Sequence, residues 1–151
     1  MILGPLMVDS TSSSCLFCQI VRGDVAALKV FEDEVSLAFL DHRPVFPGHC
    51  LLIPKAHFET LADLPTNLIG PLFQNAQLLA RAVENAMEAH GTFVAMNNRV
   101  SQSVPHFHVH VVPRWKGDTN FMSVAAGVRV VPEELSATRA RLAPLFARAG
   151  S

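Results

Sequence analysis

The stretch PHFHVHVVPR, residues 105–114, alternates histidines with apolar residues. Its histidines are His106, His108 and His110, and the residues between and after them are Phe107, Val109 and Val111. Successive side chains of a β-strand point to opposite faces, so the three imidazoles share one face at a spacing of about 6.6 Å. The stretch therefore predicts a strand that is anchored in a core by one face and presents three nitrogen bases on the other.

Further strands and helices are predicted on both sides of this stretch. Residues 29–41 predict two strands around a turn, and residues 49–54 and 92–98 predict one strand each. Residues 128–131 are a further short strand candidate, and residues 133–149 predict a helix that contains Pro144. With one long helix between the strands, the order predicts an α+β fold: an antiparallel sheet of about five strands, the long helix on one face, and a C-terminal helix.

The long helix is predicted over residues 66–90. Its inward positions recur at three- and four-residue steps: Leu68, Leu72, Asn75, Leu79, Val83 and Met87. Pro71 lies in the first turns, where a missing N–H matters least, and Gly91 follows the expected end.

Length and composition favour a cytoplasmic single-domain protein. We predict a flexible lead at residues 1–14 and one domain over residues 15–151. Twelve basic and thirteen acidic residues leave a formal charge of −1 without a basic run, so no nucleic-acid partner is expected. No apolar stretch is long enough for a bilayer, so no membrane partner is expected either. The three cysteines, an odd number without a signal sequence, favour a reducing compartment.

Three interpretations of the aligned histidines remain open at this point. They could be structural and satisfied by hydrogen bonds, although three polar rings on one face are hard to satisfy without a purpose. They could bind a catalytic metal, although consecutive positions on one strand span too far for a single ion. They could also act in nucleophilic catalysis, because a neutral imidazole with one bare nitrogen attacks phosphorus well.

The pattern His-φ-His-φ-His-φ-φ, with φ apolar, resembles the motif of the histidine triad (HIT) superfamily, and HFHVHVV follows it. Other segments are similar to landmarks of the family in the same order: CLFCQIVRGDV, KVFEDE, AFLDHRPVFPGH, LLIPKAH, SQSVPH and VVPRW. The resemblance covers roughly residues 15–118 and is strongest to bacterial-type nucleotide hydrolases and dinucleoside polyphosphate hydrolases. It implies the HIT-like fold and cleavage of a nucleotide at its α-phosphate.

The resemblance also implies roles for individual residues. His108 would be the nucleophile that forms a nucleotidyl-imidazole intermediate, and His110 would hold the charge on the phosphate oxygens. Gln102 and Ser103 would reach the leaving group. The nucleoside would be bound by Asp41 at the ribose hydroxyls, by Asn97 and Asn98 in the same pocket, and by Phe17, Ile20 and Phe39 around the base. Without a ligand, Asp41 could instead cap a turn, and Phe17 and Phe39 could be core residues.

A structural zinc site is a further implication of the resemblance. Members of the bacterial type pair two cysteines with a histidine after a Pro-Lys step and with the first triad histidine, which selects Cys15, Cys18, His57 and His106. Such a set is closed and tetrahedral, and it would leave His108 and His110 for chemistry. The alternative is a reduced cysteine pair without a metal. Cys50 is expected in the core, and His49 is expected to pack in the turn before it.

The chain departs from the family pattern in the loop NNRVSQSV, residues 97–104, where Ser101 replaces a glycine and about two residues are missing. The expected substrates are purine nucleotides or dinucleotides, with diadenosine polyphosphates first and nucleoside phosphoramidates second. A homodimer is expected from the resemblance, and Trp115 could stack on a second base. Two alternatives to a hydrolase remain: a phosphorylase, with phosphate as the acceptor, and a non-catalytic nucleotide-binding or scaffold protein.

Overall fold

A computed structural model describes residues 13–118 and 135–149 of the chain. Contacts divide it into two units, one up to Gly117 and one from Asp118, and each is described by itself. The second unit contributes the helix α3, Leu135–Ala149, with Pro144 inside it. Most of the predicted N-terminal lead and the strand predicted at residues 128–131 lie outside the described residues.

The first unit is an antiparallel sheet with helices. Its elements are α1 (Leu16–Arg22), β1 (Lys29–Glu32), β2 (Ser36–Leu40), β3 (Cys50–Pro54), a 3-10 helix (Leu61–Asp63), α2 (Thr66–Ala86), β4 (Gly91–Ala95) and β5 (Val109–Arg114). The strands lie in the order β1-β2-β3-β5-β4, and every neighbouring pair is antiparallel. The predicted α+β fold with a five-stranded antiparallel sheet is confirmed. No helix in the described ranges combines the length and the apolar character that crossing a bilayer requires.

Apolar side chains cover both faces of the sheet. One cluster joins the buried face of α2 to Leu52, Phe107, Val109 and Val111. The other cluster joins α1 to Leu37, Phe39, Leu51 and Ile53. Because alternate residues of β2 and β3 belong to different clusters, both strands are buried along almost their whole length.

The triad stretch enters the sheet later than predicted. The β5 ladder begins at Val109, so His106 and His108 precede it. Before Val109 the backbone forms a hydrogen bond outside the sheet ladder: the Phe107 N–H donates to the Phe58 carbonyl at 2.6 Å. The alternation survives, because Phe107 belongs to the cluster under α2 while His106 and His108 contact the Phe17 ring of α1.

The helix α2 ends four residues earlier than predicted, at Ala86. Glu88 has a φ of 50°, which turns the chain out of the helix. The His90 N–H then donates to the Arg114 carbonyl, and β4 begins at Gly91. The predicted strand at residues 92–98 is likewise shorter, ending at Ala95. Residues 87–90 lead the chain from the helix into the pairing of β4 with β5. That pairing depends on long-range contacts, which helical periodicity does not predict.

Two contacts fix the position of α2 on the sheet. Asn75, which occupies an inward position of the helix, donates to Asp33 at 2.6 Å and to Ser36 Oγ at 2.8 Å. Gly48 precedes β3 with a φ of 92°, and a Cβ at this position would lie 2.6 Å from Met87 Cγ. Only glycine combines this left-handed conformation with such a close approach, and the next residue, His49, is buried directly before β3.

Candidate functional site

Four side chains from distant parts of the sequence meet at one end of α1: Cys15, Cys18, His57 and His106. Their ligand atoms all lie within 4.8 Å of one another. The His106 Nδ1 is 3.5 Å from both sulfurs, and the His57 Nδ1 is 3.3 Å from the Cys18 sulfur. The two Nδ1 atoms are 3.2 Å apart. Three of the four residues are buried, so the cluster is largely closed to solvent.

These distances fit a tetrahedral zinc site. With metal–sulfur bonds of about 2.3 Å and metal–nitrogen bonds of about 2.05 Å, tetrahedral geometry puts sulfur and nitrogen about 3.5 Å apart and two nitrogens about 3.3 Å apart. The other ring nitrogen of His106 donates to the Pro54 carbonyl at 2.8 Å, which leaves Nδ1 bare and aimed at the sulfurs. Burial lowers the pKa of His106 to about 4, so the ring is neutral, as a metal ligand must be. The set is compatible with zinc.

His108 has one nitrogen fixed and one available. Its Nδ1 lies 2.7 Å from the His106 carbonyl oxygen and donates to it, so in the neutral ring the lone pair is on Nε2. Throughout the described ranges, every buried side-chain nitrogen or oxygen has a hydrogen-bond partner. Nε2 has no such partner among the described residues, and His108 is 2 % exposed. The ring is buried, and its unprotonated nitrogen keeps a lone pair that no described residue engages in a hydrogen bond.

His110 is held by a residue that the sequence did not point to. The buried His49 lies with Nε2 2.9 Å from His110 Nδ1, and its Nδ1 accepts the Val45 N–H at 3.1 Å. Because His49 Nδ1 accepts, its Nε2 carries the proton and donates to His110 Nδ1. His110 therefore carries its own proton on Nε2. The rings of His108 and His110 are 5.0 Å apart, so a bare nitrogen and an N–H donor stand side by side.

The surroundings of His110 keep it neutral. Burial is the largest cause that lowers the pKa of His110 to about 4, with further lowering by His108 and His49 and an opposing effect of Asp41. Burial also lowers the pKa of His49, again against the effect of Asp41. The N–H···N bond needs a bare Nδ1 on His110, and the Val45 bond needs a bare Nδ1 on His49, so the two hydrogen bonds together require both rings to be neutral.

Asp41 joins this pair at the end of β2. Its Oδ1 accepts the Arg43 N–H at 2.9 Å, and its Oδ2 lies 3.6 Å from His49 Nε2. Asp41, His49 and His110 could by distance hold a metal ion. The tautomer argues against it: a metal on His49 Nε2 would require a proton on Nδ1, which faces the Val45 N–H. The carboxylate is part-buried and keeps acceptor capacity for a ligand.

The expected base-binding residues form the apolar wall of the site. Phe17 and Phe39 are buried, with ring centroids 5.5 Å apart in an edge-to-face contact. Phe17 also makes edge contacts with His106 and His108 at 5.8 and 5.2 Å. Ile20 lies in the same cluster. All three are core residues in this structure, and they bring α1 against the triad.

The polar residues of the loop before the triad make their hydrogen bonds to the protein backbone. Gln102 accepts the Arg99 N–H and donates to the Glu59 carbonyl, both at 2.7 Å. Asn98 accepts the Leu61 N–H at 2.7 Å, and Asn97 is exposed. Ser103 lines a cavity of about 680 Å³ with Cys15, His57 and Arg99, on the His106 side of the triad. The structure thus brings together the triad, Asp41, His49 and the apolar wall, while the side chains of Gln102 and Asn98 form hydrogen bonds to the backbone of Arg99, Glu59 and Leu61.

His49 is the residue that sequence reasoning missed. It was expected only to pack in its turn, and it is indeed buried there. A signal was present, because His49 directly precedes a wholly apolar strand. The register puts Cys50 opposite Val111 and Leu51 opposite His110, so His49 falls beside the last triad histidine.

The chain is similar to known proteins over most of its length. Residues 22–117 match the HIT domain family. The chain is 41% identical over 110 residues to protein hit of Bacillus subtilis, covering 71% of this chain and 76% of that protein. It is 35% identical over 144 residues to an AP-4-A phosphorylase of Mycobacterium tuberculosis, covering 93% and 74%. It is 32% identical over 117 residues to an adenylylsulfatase of Arabidopsis thaliana, covering 76% of this chain but only 59% of that protein.

A solved structure shows the same fold with a metal. A Zn-bound histidine triad family protein from Mycobacterium smegmatis is 39% identical and superposes with a TM-score of 0.68, over 91% of this chain and 99% of that one. The family match, the relatives and the shared architecture agree with one another. The protein belongs to the histidine triad superfamily and has the general nucleotide-processing function of that family.

Proposed function

We propose that the protein hydrolyses dinucleoside polyphosphates at the α-phosphate through a nucleotidyl intermediate on His108. The observation that carries the proposal is the pair of ring nitrogens in the site: the bare Nε2 of His108 and the protonated Nε2 of His110, on rings 5.0 Å apart. A nucleophile and a hydrogen-bond donor side by side are what an attack on phosphorus needs.

In the first step the lone pair of His108 Nε2 attacks the α-phosphorus. The bond between phosphorus and the bridging oxygen breaks, and the leaving polyphosphate keeps the electron pair. The His110 Nε2–H donates to a non-bridging phosphate oxygen, where negative charge grows in the transition state. The His106 carbonyl, which accepts from His108 Nδ1 at 2.7 Å, stabilises the positive charge that the substituted imidazole acquires.

In the second step water attacks the same phosphorus and the phosphorus–nitrogen bond breaks. The nucleoside monophosphate leaves, the water proton passes to solvent, and the electron pair returns to His108 Nε2. The tautomer of His108 is unchanged throughout, because Nδ1 keeps its proton against the His106 carbonyl. The enzyme is therefore ready for another cycle without a rearrangement.

Binding of the nucleoside is assigned to the residues around this pair. Asp41 would accept the ribose hydroxyls, since its part-buried carboxylate retains free acceptor sites. Phe17, Ile20 and Phe39 would border the base, with Asn97 and Asn98 at the rim. Gln102 and Ser103 would meet the leaving group only if the hydrogen bonds of Gln102 to Arg99 and Glu59 were exchanged for substrate contacts.

Zinc is proposed as a structural ion held by Cys15, Cys18, His57 and His106. When bound, it would supply a closed tetrahedral cross-link between α1, the segment after β3 and the triad stretch. The chain's own contribution to catalysis is the position of His106: its ring is held at both nitrogens, so its carbonyl stays aimed at His108.

A phosphorylase is the second candidate, and one observation favours it. The match to an AP-4-A phosphorylase of Mycobacterium tuberculosis spans 93% of this chain. In that reaction inorganic phosphate would replace water in the second step, and the product would be a nucleoside diphosphate. A homodimer and a cytoplasmic location complete the proposal on the strength of the family resemblance.

The experiment is to incubate the protein with diadenosine tetraphosphate, quench in base and measure the intact mass. One adenylyl group on His108 is expected, and none in His108→Asn, which should still bind AMP. His42→Asn is the matched control, because His42 is exposed beside the site. AMP with ATP as products indicates hydrolysis, and ADP with ATP in added phosphate indicates phosphorolysis. AMP binding without an adduct or turnover in the wild type would mean a binding protein instead.

A further inference from the structure

The segment of residues 57–61 connects the metal cluster to the loop before the triad. His57, one of the four cluster residues, begins it. Three hydrogen bonds then tie the segment to residues 98–107: the Leu61 N–H donates to Asn98 Oδ1 at 2.7 Å, Gln102 Nε2 donates to the Glu59 carbonyl at 2.7 Å, and the Phe107 N–H donates to the Phe58 carbonyl at 2.6 Å. We call residues 57–61 the coupling segment and residues 98–105 the triad loop.

The triad loop depends on these ties. Arg99 and Ser101 have φ angles of 67° and 60°, a left-handed conformation that costs free energy for any residue with a side chain. Such a conformation persists only where surrounding contacts enforce it. The Gln102 amide supplies two such contacts. Its Oε1 accepts the Arg99 N–H, and its Nε2 donates to the Glu59 carbonyl.

The coupling segment is itself anchored at both ends. His57 fixes the first residue in the cluster. At the other end Thr60 and Asp63 form a capping box, with the Thr60 N–H and hydroxyl donating to Asp63 Oδ2 at 2.9 and 2.6 Å. A segment that is held in this way transmits a displacement of His57 to the loop that it supports.

We propose that metal occupancy of the cluster orders the triad loop through the coupling segment, and that Gln102 and Asn98 are the positioning residues of this link. The inference rests on the zinc site proposed above and assigns Gln102 a role toward the protein rather than toward the leaving group. Coupling is reciprocal, so weakening the link at Gln102 must also weaken zinc binding.

The first test is the zinc affinity of the full chain, measured by competition with a chromophoric chelator. Gln102→Ala is expected to bind zinc about fivefold more weakly than the wild type. Gln102→Glu keeps an acceptor for the Arg99 N–H but loses the donor to Glu59, so it should lose affinity as well. Gln77→Ala, at an exposed position of α2, is the matched control and should bind as the wild type does.

The second test is amide hydrogen exchange with zinc bound and after chelation. Protection of the Leu61 and Arg99 amides is expected to fall at least tenfold without zinc, while Val111, in the middle of the sheet, keeps its protection. If Val111 also loses protection, the metal-free chain has unfolded globally, and the affinity comparison on zinc-loaded protein decides alone.

The inference is overturned if Gln102→Ala binds zinc like the wild type. Lower kcat/KM at unchanged zinc affinity would instead make Gln102 a substrate contact. A wild-type protein that holds no zinc by metal analysis would remove the zinc proposal and this inference together. Absence of an adduct on His108 would remove only the catalytic proposal, because neither readout used here depends on turnover.

Discussion

The Nε2 atom of His49 lies 2.9 Å from the Nδ1 atom of His110, although 61 residues separate them in the sequence. The Val45 N–H fixes the tautomer of His49, and His49 fixes that of His110. A backbone amide thus determines which nitrogen of the last triad histidine carries the proton. We call this chain of hydrogen bonds from Val45 through His49 to His110 the relay. It sets which N–H donor faces the proposed phosphate site.

His49→Phe is expected to lower kcat about 100-fold, because His110 loses the partner that keeps its proton on Nε2. The substituted ring has a similar size, so the fold should be retained and AMP binding should weaken less than kcat. Steady-state kinetics and AMP titration measure both effects. His42→Phe, at a position with a side chain 82% exposed, should leave kcat within a factor of two. Equal kcat in both variants would exclude the relay.

His110 should make the fold less stable in acid. Its pKa is lowered to about 4, chiefly by burial and then by His108 and His49, with Asp41 opposing. A folded pKa below the unfolded value means that the unfolded chain takes up the proton first as the pH falls. The contribution of neutral His110 to the free energy of unfolding is therefore present above about pH 6.5 and is lost progressively toward pH 4.

Urea unfolding at pH 7 and pH 5 measures this contribution. The wild type should lose about 1 kcal/mol more than His110→Gln between these pH values, after allowance for solvent screening of a partly exposed ring. His49 and Asp41, which face His110, are present in both proteins, so their contributions largely cancel in the comparison. Identical losses of unfolding free energy in the two proteins would show that folding does not lower the pKa of His110.

Removal of one proposed zinc ligand should remove the metal. Cys18→Ser is expected to contain less than a tenth of the zinc of the wild type, as measured by plasma mass spectrometry of the purified chain. Tm should fall by roughly 10 °C, since a bound ion contributes on the order of 4 kcal/mol at a thousandfold excess over Kd.

Cys50→Ala is the control for this substitution. Cys50 is buried on the α2 side of the sheet, where its thiol contacts the Gly48 carbonyl and burial raises its pKa. This variant should keep the full zinc content. Loss of zinc in Cys50→Ala, or full zinc in Cys18→Ser, would contradict the assignment of the four ligands.

Ser101→Gly should stabilise the protein by about 0.5–1 kcal/mol. Ser101 has a φ of 60°, and glycine adopts this conformation without steric cost, although it loses more entropy on folding. Ser101→Ala keeps the Cβ and should give no gain, which separates backbone strain from loss of the hydroxyl. Thermal unfolding compares the two variants. A gain in the alanine variant equal to that in the glycine variant would argue against strain at this residue.

The sequence by itself determined the order of the strands and the long helix, and the alternation of side chains along the triad stretch. Alternation in HFHVHVV was enough to separate Phe107 and Val109 from the histidines, because a period of two assigns side chains to faces regardless of what lies beyond them. The five strands and the long helix follow from the same kind of local pattern. The departure at Ser101 was also visible in the sequence, and the structure shows it as a positive φ.

Only the tertiary structure decided how the side chains are used. The proton positions of His106, His108 and His110 depend on the Pro54 carbonyl, the His106 carbonyl and His49, and two of these partners are brought in by strand pairing. The amide of Gln102 is occupied by Arg99 and Glu59. The end of α2 is set by the register of β4 on β5. Periodicity fixes the direction of a side chain, whereas hydrogen-bond partners far apart in the chain become neighbours only when the sheet is assembled.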